Sequence, residues 1–165
     1  MAGKPQVKII AVGKLRASFW RDADAEYRKR LTGYTTKLTL VEVADEATPE
    51  DASAAQEDIV KKKEGERILA QIGLRDYVIA LDRQGKSLDS VAFASHLERV
   101  AVEGAGGALT FIIGGSLGLH DSILARADFA LSFGAFTFPH QLMRVILMEQ
   151  IYRAAKIQRE ENYHK

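Results

Sequence analysis

LTFIIGGSLGL, residues Leu109–Leu119, sets the reading of the whole chain. Leu109–Ile113 is a run of strand length, apolar except for Thr110, which suits a strand buried on both faces rather than one that alternates between core and solvent. It leads directly into Gly114-Gly115. Glycine at that point lets backbone approach a ligand closely, although a plain tight turn fits the pair equally. Gly115 and Gly118 have GxxG spacing, but Ile113 stands where a dinucleotide fingerprint needs its leading glycine, and no Gly-Lys-Ser/Thr follows as in a phosphate-binding loop.

Working outward, short apolar runs alternate with helical patterns. Val7–Val12, Leu38–Val43, Tyr77–Leu81 and Phe129–Leu131 read as further strands, Leu38–Val43 with clear period-two alternation. Phe19, Trp20, Tyr27 and Leu31 predict a helix over Ser18–Leu31, and Ile59, Ile68, Leu69 and Ile72 predict one over Asp51–Ile72. Ser90–Ala101, Asp121–Arg126 and Gln141–Arg159 complete the set. Strands separated by helices predict a single α/β domain over residues 1–165, with a mostly parallel sheet flanked by helices. Such sheets bind ligands beyond the carboxyl ends of their strands. Here those ends are Leu81-Asp82, Ile113-Gly114 and Leu131-Ser132.

Composition narrows the chemistry. Apolar residues at 47% and charged residues at 27% are ordinary for a globular domain and argue against wholesale disorder. The absence of cysteine removes disulfides, zinc-thiolate sites and a thiol nucleophile, and the four histidines lack metal-site spacing, so no metal is expected. No stretch approaches the ~20 apolar residues of a membrane span, and no signal segment stands at the N-terminus, so the expected location is the cytoplasm. A formal charge of +1 is not that of a dedicated nucleic-acid binder. The Lys61-Lys62-Lys63 run lies among Glu57, Asp58, Glu64 and Glu66, and reads as a solvated mixed-charge face.

Two C-terminal segments are unusual. Phe133-Gly134-Ala135-Phe136-Thr137-Phe138 is an apolar loop closed by Pro139. Its aromatic surfaces and free backbone groups would suit an adenine ring, whose faces want apolar contact and whose edge main-chain groups can read, but the loop alone favours a connection that merely fills the core. The last helix carries Leu142, Val145, Ile146, Ile151 and Ala155 as a packing stripe, with Glu149 and Arg153 spaced as an i,i+4 ion pair. Arg144 lies opposite Arg153 around that helix. Beyond it, Tyr163-His164-Lys165 combines groups able to stack on a base, move a proton and pair with phosphate, where a mobile polar tail is the ordinary expectation.

FIIGGSLGL (Phe111–Leu119), LSFGAFTFPHQLMRVILMEQIYRA (Leu131–Ala154) and the closing YHK (Tyr163–Lys165) together resemble the family of ribosomal large-subunit methyltransferase H, within the SPOUT superfamily of trefoil-knotted methyltransferases. AVGKL (Ala11–Leu15), KKKEGERIL (Lys61–Leu69) and VIALDRQGK (Val78–Lys86) extend the resemblance over nearly the whole chain. It implies an α/β knot in the C-terminal half. It also implies methylation of N3 of a pseudouridine in 23S rRNA of the assembled ribosome, with S-adenosylmethionine as donor, by a homodimer, with no part for DNA or membrane. Leu81, Gly114 and Phe133, Gly134, Ala135, Phe136, Thr137 and Phe138 match the family's cofactor segments.

The implied reaction needs alignment of nucleophile, methyl and sulfur, and removal of an imide proton whose pKa lies well above neutral. His164 is the preferred base candidate, with Tyr163, Arg144 and His140 as further catalytic candidates, although His140 fits equally as a residue packed beside Pro139. Arg153 is expected to hold RNA phosphate or the dimer partner, and Lys165 to hold RNA. The competing readings are a SPOUT methyltransferase of another RNA, such as a transfer RNA, and a non-catalytic RNA-binding module; a nicotinamide oxidoreductase is more distant.

Overall fold

The computed structural model describes residues 3–104 and 106–165. The elements follow in the order β1 (Gln6–Val12), α1 (Ser18–Leu31), β2 (Lys37–Val43), α2 (Ala54–Leu69), β3 (Tyr77–Ser87), α3 (Ser90–Glu103), β4 (Leu109–Ile113), α4 (Asp121–Arg126), β5 (Phe129–Ser132) and α5 (His140–Gln158). The strands form one parallel sheet in the order β2-β1-β4-β3-β5. β4 is buried throughout, including Thr110, whose hydroxyl donates to Asp76 Oδ2 at 3.0 Å.

Alternate residues feed two cores. Val7, Ile9, Phe111 and Ile79 point to the layer holding α1, α3 and α5, where Leu31, Phe93, Leu147 and Met148 pack. Ile10, Val12, Ile112 and Val78 point to the opposite layer, against Ile68 of α2 and Ile123 of α4. Each such fully buried side chain contributes about 1.5–3 kcal/mol relative to exposure.

The expected spans shift by one or two residues at several ends, and by more at α2 and β3. α2 begins at Ala54 rather than Asp51, because Asp51 takes a left-handed backbone (φ 52°) and Ser53 caps the helix through a reciprocal pair with Gln56. The buried stripe of α2 is Val60, Glu64, Gly65 and Ile68, and Ile59 is exposed. β3 continues past Leu81 to Ser87: after an irregular segment, Lys86 and Ser87 pair again with Leu131 and Ser132. Gly85 permits this, since a Cβ there would stand 2.6 Å from the Ala130 carbonyl oxygen.

The chain's last crossing places the site. β5 lies at the sheet edge beyond β3, yet α5 packs on both α3 and α1 and reaches Gly13 at the end of β1 through Arg144. The β5–α5 connection therefore runs across the carboxyl ends of β3 and β4 and crosses the β3–α3 connection. Ordinary α/β connections avoid such a crossing, and the trefoil threading expected from the resemblance requires it. Contacts at the crossing are polar: Ser132 Oγ donates to Arg83 O (2.9 Å), and Arg83 Nη1 donates to Thr137 Oγ1 (2.7 Å).

Candidate functional site

The crossing gathers Leu81, Gly114 and residues Phe133–Phe138 at one pole of the sheet. Gly134 takes φ +111° and donates its N–H to Ser132 Oγ at 3.1 Å, which turns the loop away from β5. Phe133 packs on the core, whereas Phe136 is 80% exposed, its ring 6.4 Å from that of Phe138. The loop is thus anchored at one end and presents aromatic surface at the other, which a core-filling connection would not do. Among the described residues, no protein acceptor takes the backbone N–H of Ala135, Phe136, Thr137 or Phe138. Aromatic faces beside unused main-chain donors form a fitting receptor for a purine.

His140 opens α5 and stands against Gly13, where a Cβ would lie 3.2 Å from its Cε1. Gly13 has φ +90°, so both backbone and space select glycine there. Burial, reinforced by the charge of Arg144, pushes the His140 imidazole below its ordinary pKa, with Asp45 opposing, so the ring is neutral at physiological pH. Arg144 is 1% exposed. Its guanidinium donates to Glu42 Oε2 (2.8 Å) and to the Gly13 carbonyl (3.2 Å), tying α5 to the ends of β2 and β1. Arg144 and Arg153 do lie on opposite sides of α5, and Arg144 occupies the inner one.

The tail forms a second group. Glu149 Oε1 accepts from Arg153 Nε (3.1 Å), Arg153 Nη2 (2.6 Å) and the Tyr163 hydroxyl (3.0 Å). The Arg153 guanidinium lies 4.7 Å from the Tyr163 ring centroid, and Tyr152 meets the same ring edge-on at 4.9 Å. Arg153 Nη1 donates to His164 Nδ1 at 3.1 Å. Because arginine only donates, Nδ1 is the acceptor, and neutral His164 carries its hydrogen on Nε2. Lys165 is exposed. His140 and Arg153 are separated along α5 by roughly 20 Å, at about 1.5 Å per residue. Within one chain, therefore, Tyr163, His164 and Arg153 do not meet the Phe133–Phe138 loop.

Sequence similarity agrees with this geometry. The family model described as "Predicted SPOUT methyltransferase" matches residues 6–164. The chain belongs to the SPOUT methyltransferase family. It is 54% identical, over 97% of its length and 99% of the relative's, to a protein from Carboxydothermus hydrogenoformans named ribosomal RNA large subunit methyltransferase H. A Streptococcus thermophilus protein of the same name is 52% identical over the same shares. Among solved structures, a probable methylase family protein of Haemophilus influenzae superposes with a TM-score of 0.54 at 14% identity, covering 98% of this chain and 71% of that one. A probable methyltransferase of Bordetella pertussis gives 0.53 at 14% identity, covering 92% and 95%. These two show the SPOUT fold alone.

Four residues at the SPOUT crevice escaped the sequence reading: Gly13, Glu42, Arg83 and Glu64. Glu64 is the one the sequence could have yielded, because it falls four residues from both Val60 and Ile68 on the buried stripe. The surrounding charges disguised it. No group of three or more potential metal ligands occurs among the described residues, and no helix among them is long and apolar enough to cross a membrane.

Proposed function

We propose that this chain methylates N3 of a pseudouridine in 23S rRNA, acting as a homodimer on the assembled ribosome with S-adenosylmethionine as donor. The single observation that carries the composite site is the separation along α5. The donor loop and the tail lie at different ends of the helix, so a complete site takes the loop from one chain and Tyr163-His164 from its partner. The half-exposed apolar stripe Leu142, Val145 and Ile146 on α5 supports pairing of two copies there.

The bound donor supplies an electrophilic methyl on a cationic sulfur. This chain's residues do the rest. Phe136 and Phe138 offer faces to adenine, the free N–H groups of the loop read its edge, and Gly114 lets backbone approach the ligand. Arg144 and His140 fix the start of α5 beside that loop. His164, while held by Arg153, presents Nε2–H and stabilises the negative charge that develops on the imide oxygens as the N3 proton leaves. It serves as the base only when Nδ1 is released from Arg153. Arg153 and Lys165 supply positive charge toward RNA phosphate, and local charge of this kind suits a chain of net charge +1 that meets RNA already organised by the ribosome.

The test is radiolabelled methyl transfer to ribosomes lacking the modification, beside naked ribosomal RNA and transfer RNA. Transfer to ribosomes alone, mapped to one pseudouridine, is the expected result. Transfer to transfer RNA instead would replace the substrate, and cofactor binding without any transfer would leave a binding module.

A further inference from the structure

Glu64 is a buried carboxylate that the methyl-transfer scheme above does not use. It projects from the core-facing stripe of α2 and is 5% exposed. Both its oxygens lie against Gly115, Oε1 at 3.2 Å and Oε2 at 3.3 Å from where a Cβ would stand, and Val12 closes the same space at 3.2 Å. Gly115 is the second residue of the glycine turn, and the residue after Val12 is Gly13, which holds His140. The carboxylate therefore lies under the same crevice as the donor loop's neighbours.

Its hydrogen bonding is incomplete. Oε2 accepts from the backbone N–H of Glu46 at 3.0 Å. No hydrogen bond reaches Oε1 among the described residues, and it is the oxygen nearer to Gly115, 3.2 Å from where a Cβ would stand. Among the described residues no cation forms an ion pair with the Glu64 carboxylate directly, although the charge of Arg67 acts on it. Arg67, one turn along α2, gives its guanidinium to the Ala44 carbonyl and the Glu46 carboxylate, and Lys63 also pairs with Glu46. The remaining charged neighbours, Asp45 and Glu46, are acidic; His120 caps α4 beside Gly65 and contacts Ser122 and Asp58. Burial pushes the Glu64 carboxyl above the ordinary carboxylate range, with the Glu46 N–H and the Arg67 charge opposing and Asp45 and Glu46 adding to the rise. A buried carboxylate without a cationic partner is costly, and a cation delivered by a ligand removes that cost.

We propose that Glu64 is a specificity residue of the donor site, its carboxylate supplying the negative charge that favours a sulfonium ligand over the neutral thioether left after transfer. This rests on the S-adenosylmethionine reading. The donor and the product S-adenosylhomocysteine share adenosine, carboxylate and ammonium, and differ in the methyl and the charge on sulfur. A charge facing the sulfur therefore separates the two ligands, and one facing the ammonium would not. The consequence is product release: once the methyl has gone, the attraction to Glu64 at the sulfur is gone as well.

Calorimetry on the full-length protein tests this with both ligands. In Glu64→Gln, donor binding is expected to weaken roughly tenfold, the effect of one charge pair in a partly buried site, while product binding changes little. In the unaltered protein at mildly acid pH, donor binding should release protons and product binding should not, read as a dependence of the binding enthalpy on buffer ionisation. That second measurement needs no variant and stands if Glu64→Gln fails to fold. Equal weakening of both ligands, or proton release common to both, would assign Glu64 to the ammonium or to the turn and overturn the proposal. If the unaltered protein bound neither ligand, the cofactor reading itself would fall, a result distinct from either.

Discussion

Tyr163 donates its hydroxyl hydrogen to Glu149 Oε1 at 3.0 Å, the oxygen that Arg153 Nη2 also holds at 2.6 Å. One carboxylate oxygen thus fixes both the tail's aromatic residue and the arginine that orients His164. Burial, followed by the Glu149 carboxylate, pushes the Tyr163 phenol up to about 12 from its ordinary 10.0. A phenol raised in this way favours the docked tail at all lower pH, and the contribution is lost as pH climbs through the raised value. In an alkaline absorbance titration the protein should show a late phenolate component near about 12 that Glu149→Gln moves down toward the ordinary value. Burial also raises Tyr77, and that residue should be unaffected by the substitution.

His164→Ala should lower methyl transfer to ribosomes by roughly 10²–10⁴-fold, the usual range for a positioned proton-transfer group, with cofactor affinity nearly unchanged. Single-turnover rates and donor-binding calorimetry on the same preparation separate the two effects. Unchanged single-turnover rates would remove His164 from the chemistry.

Gly13→Ala is expected to be costly for its size. It forces a side chain into φ +90° and sets a methyl 3.2 Å from His140 Cε1, so a loss of about 1–3 kcal/mol is expected from the backbone alone. The start of α5 should shift with it. Denaturant unfolding and methyl transfer should both report the change, whereas Gly3→Ala, where the added methyl meets nothing within 4 Å, should be silent in both.

Acid should weaken the fold through two histidines. Burial, then the charges of Arg99 and Lys86, lowers the His96 imidazole, and burial with Arg144 lowers His140, both from an ordinary 6.5. Arg99 Nη2 donates to His96 Nδ1 at 3.0 Å, so a second ring proton would have to point at a guanidinium. A depressed histidine pKa means that the unfolded chain binds the proton first; the stability is present above 6.5 and lost as pH falls through the folded value. Urea midpoints should therefore drop on acidification below that pH, and His96→Gln should flatten the dependence if the glutamine keeps the contact to Tyr77.

The strands were legible because a two-sided parallel sheet demands largely apolar runs, and Val7–Val12 and Leu109–Ile113 are such runs, broken only by Lys8 and Thr110. The opposed placement of Arg144 and Arg153 was legible from helical periodicity alone. The extension of β3 was not, because the segment that re-pairs after Leu81 is polar and depends on the later strand β5 for its partners. Nor was the crossing of connections, a property of strand order that no local pattern encodes. Glu64 was hidden differently: its burial follows the period of Val60 and Ile68, but in composition it is one more charge in a charged run.

Mixed dimers address the separation along α5 directly. A chain ending before Tyr163 keeps the donor loop and lacks the tail; a Gly134→Val chain keeps the tail but strains a loop residue at φ +111°. If each site is built from the loop of one chain and the tail of its partner, neither altered homodimer should transfer methyl at an appreciable rate. Their heterodimer contains one site with both parts intact and should recover up to half the activity of the unaltered dimer. If the tail instead folds back to serve its own loop, every site in the heterodimer carries one lesion and no recovery follows. Co-purification through two different tags, followed by the ribosome assay, separates these outcomes, and loss of dimerisation in either variant would appear in the same purification.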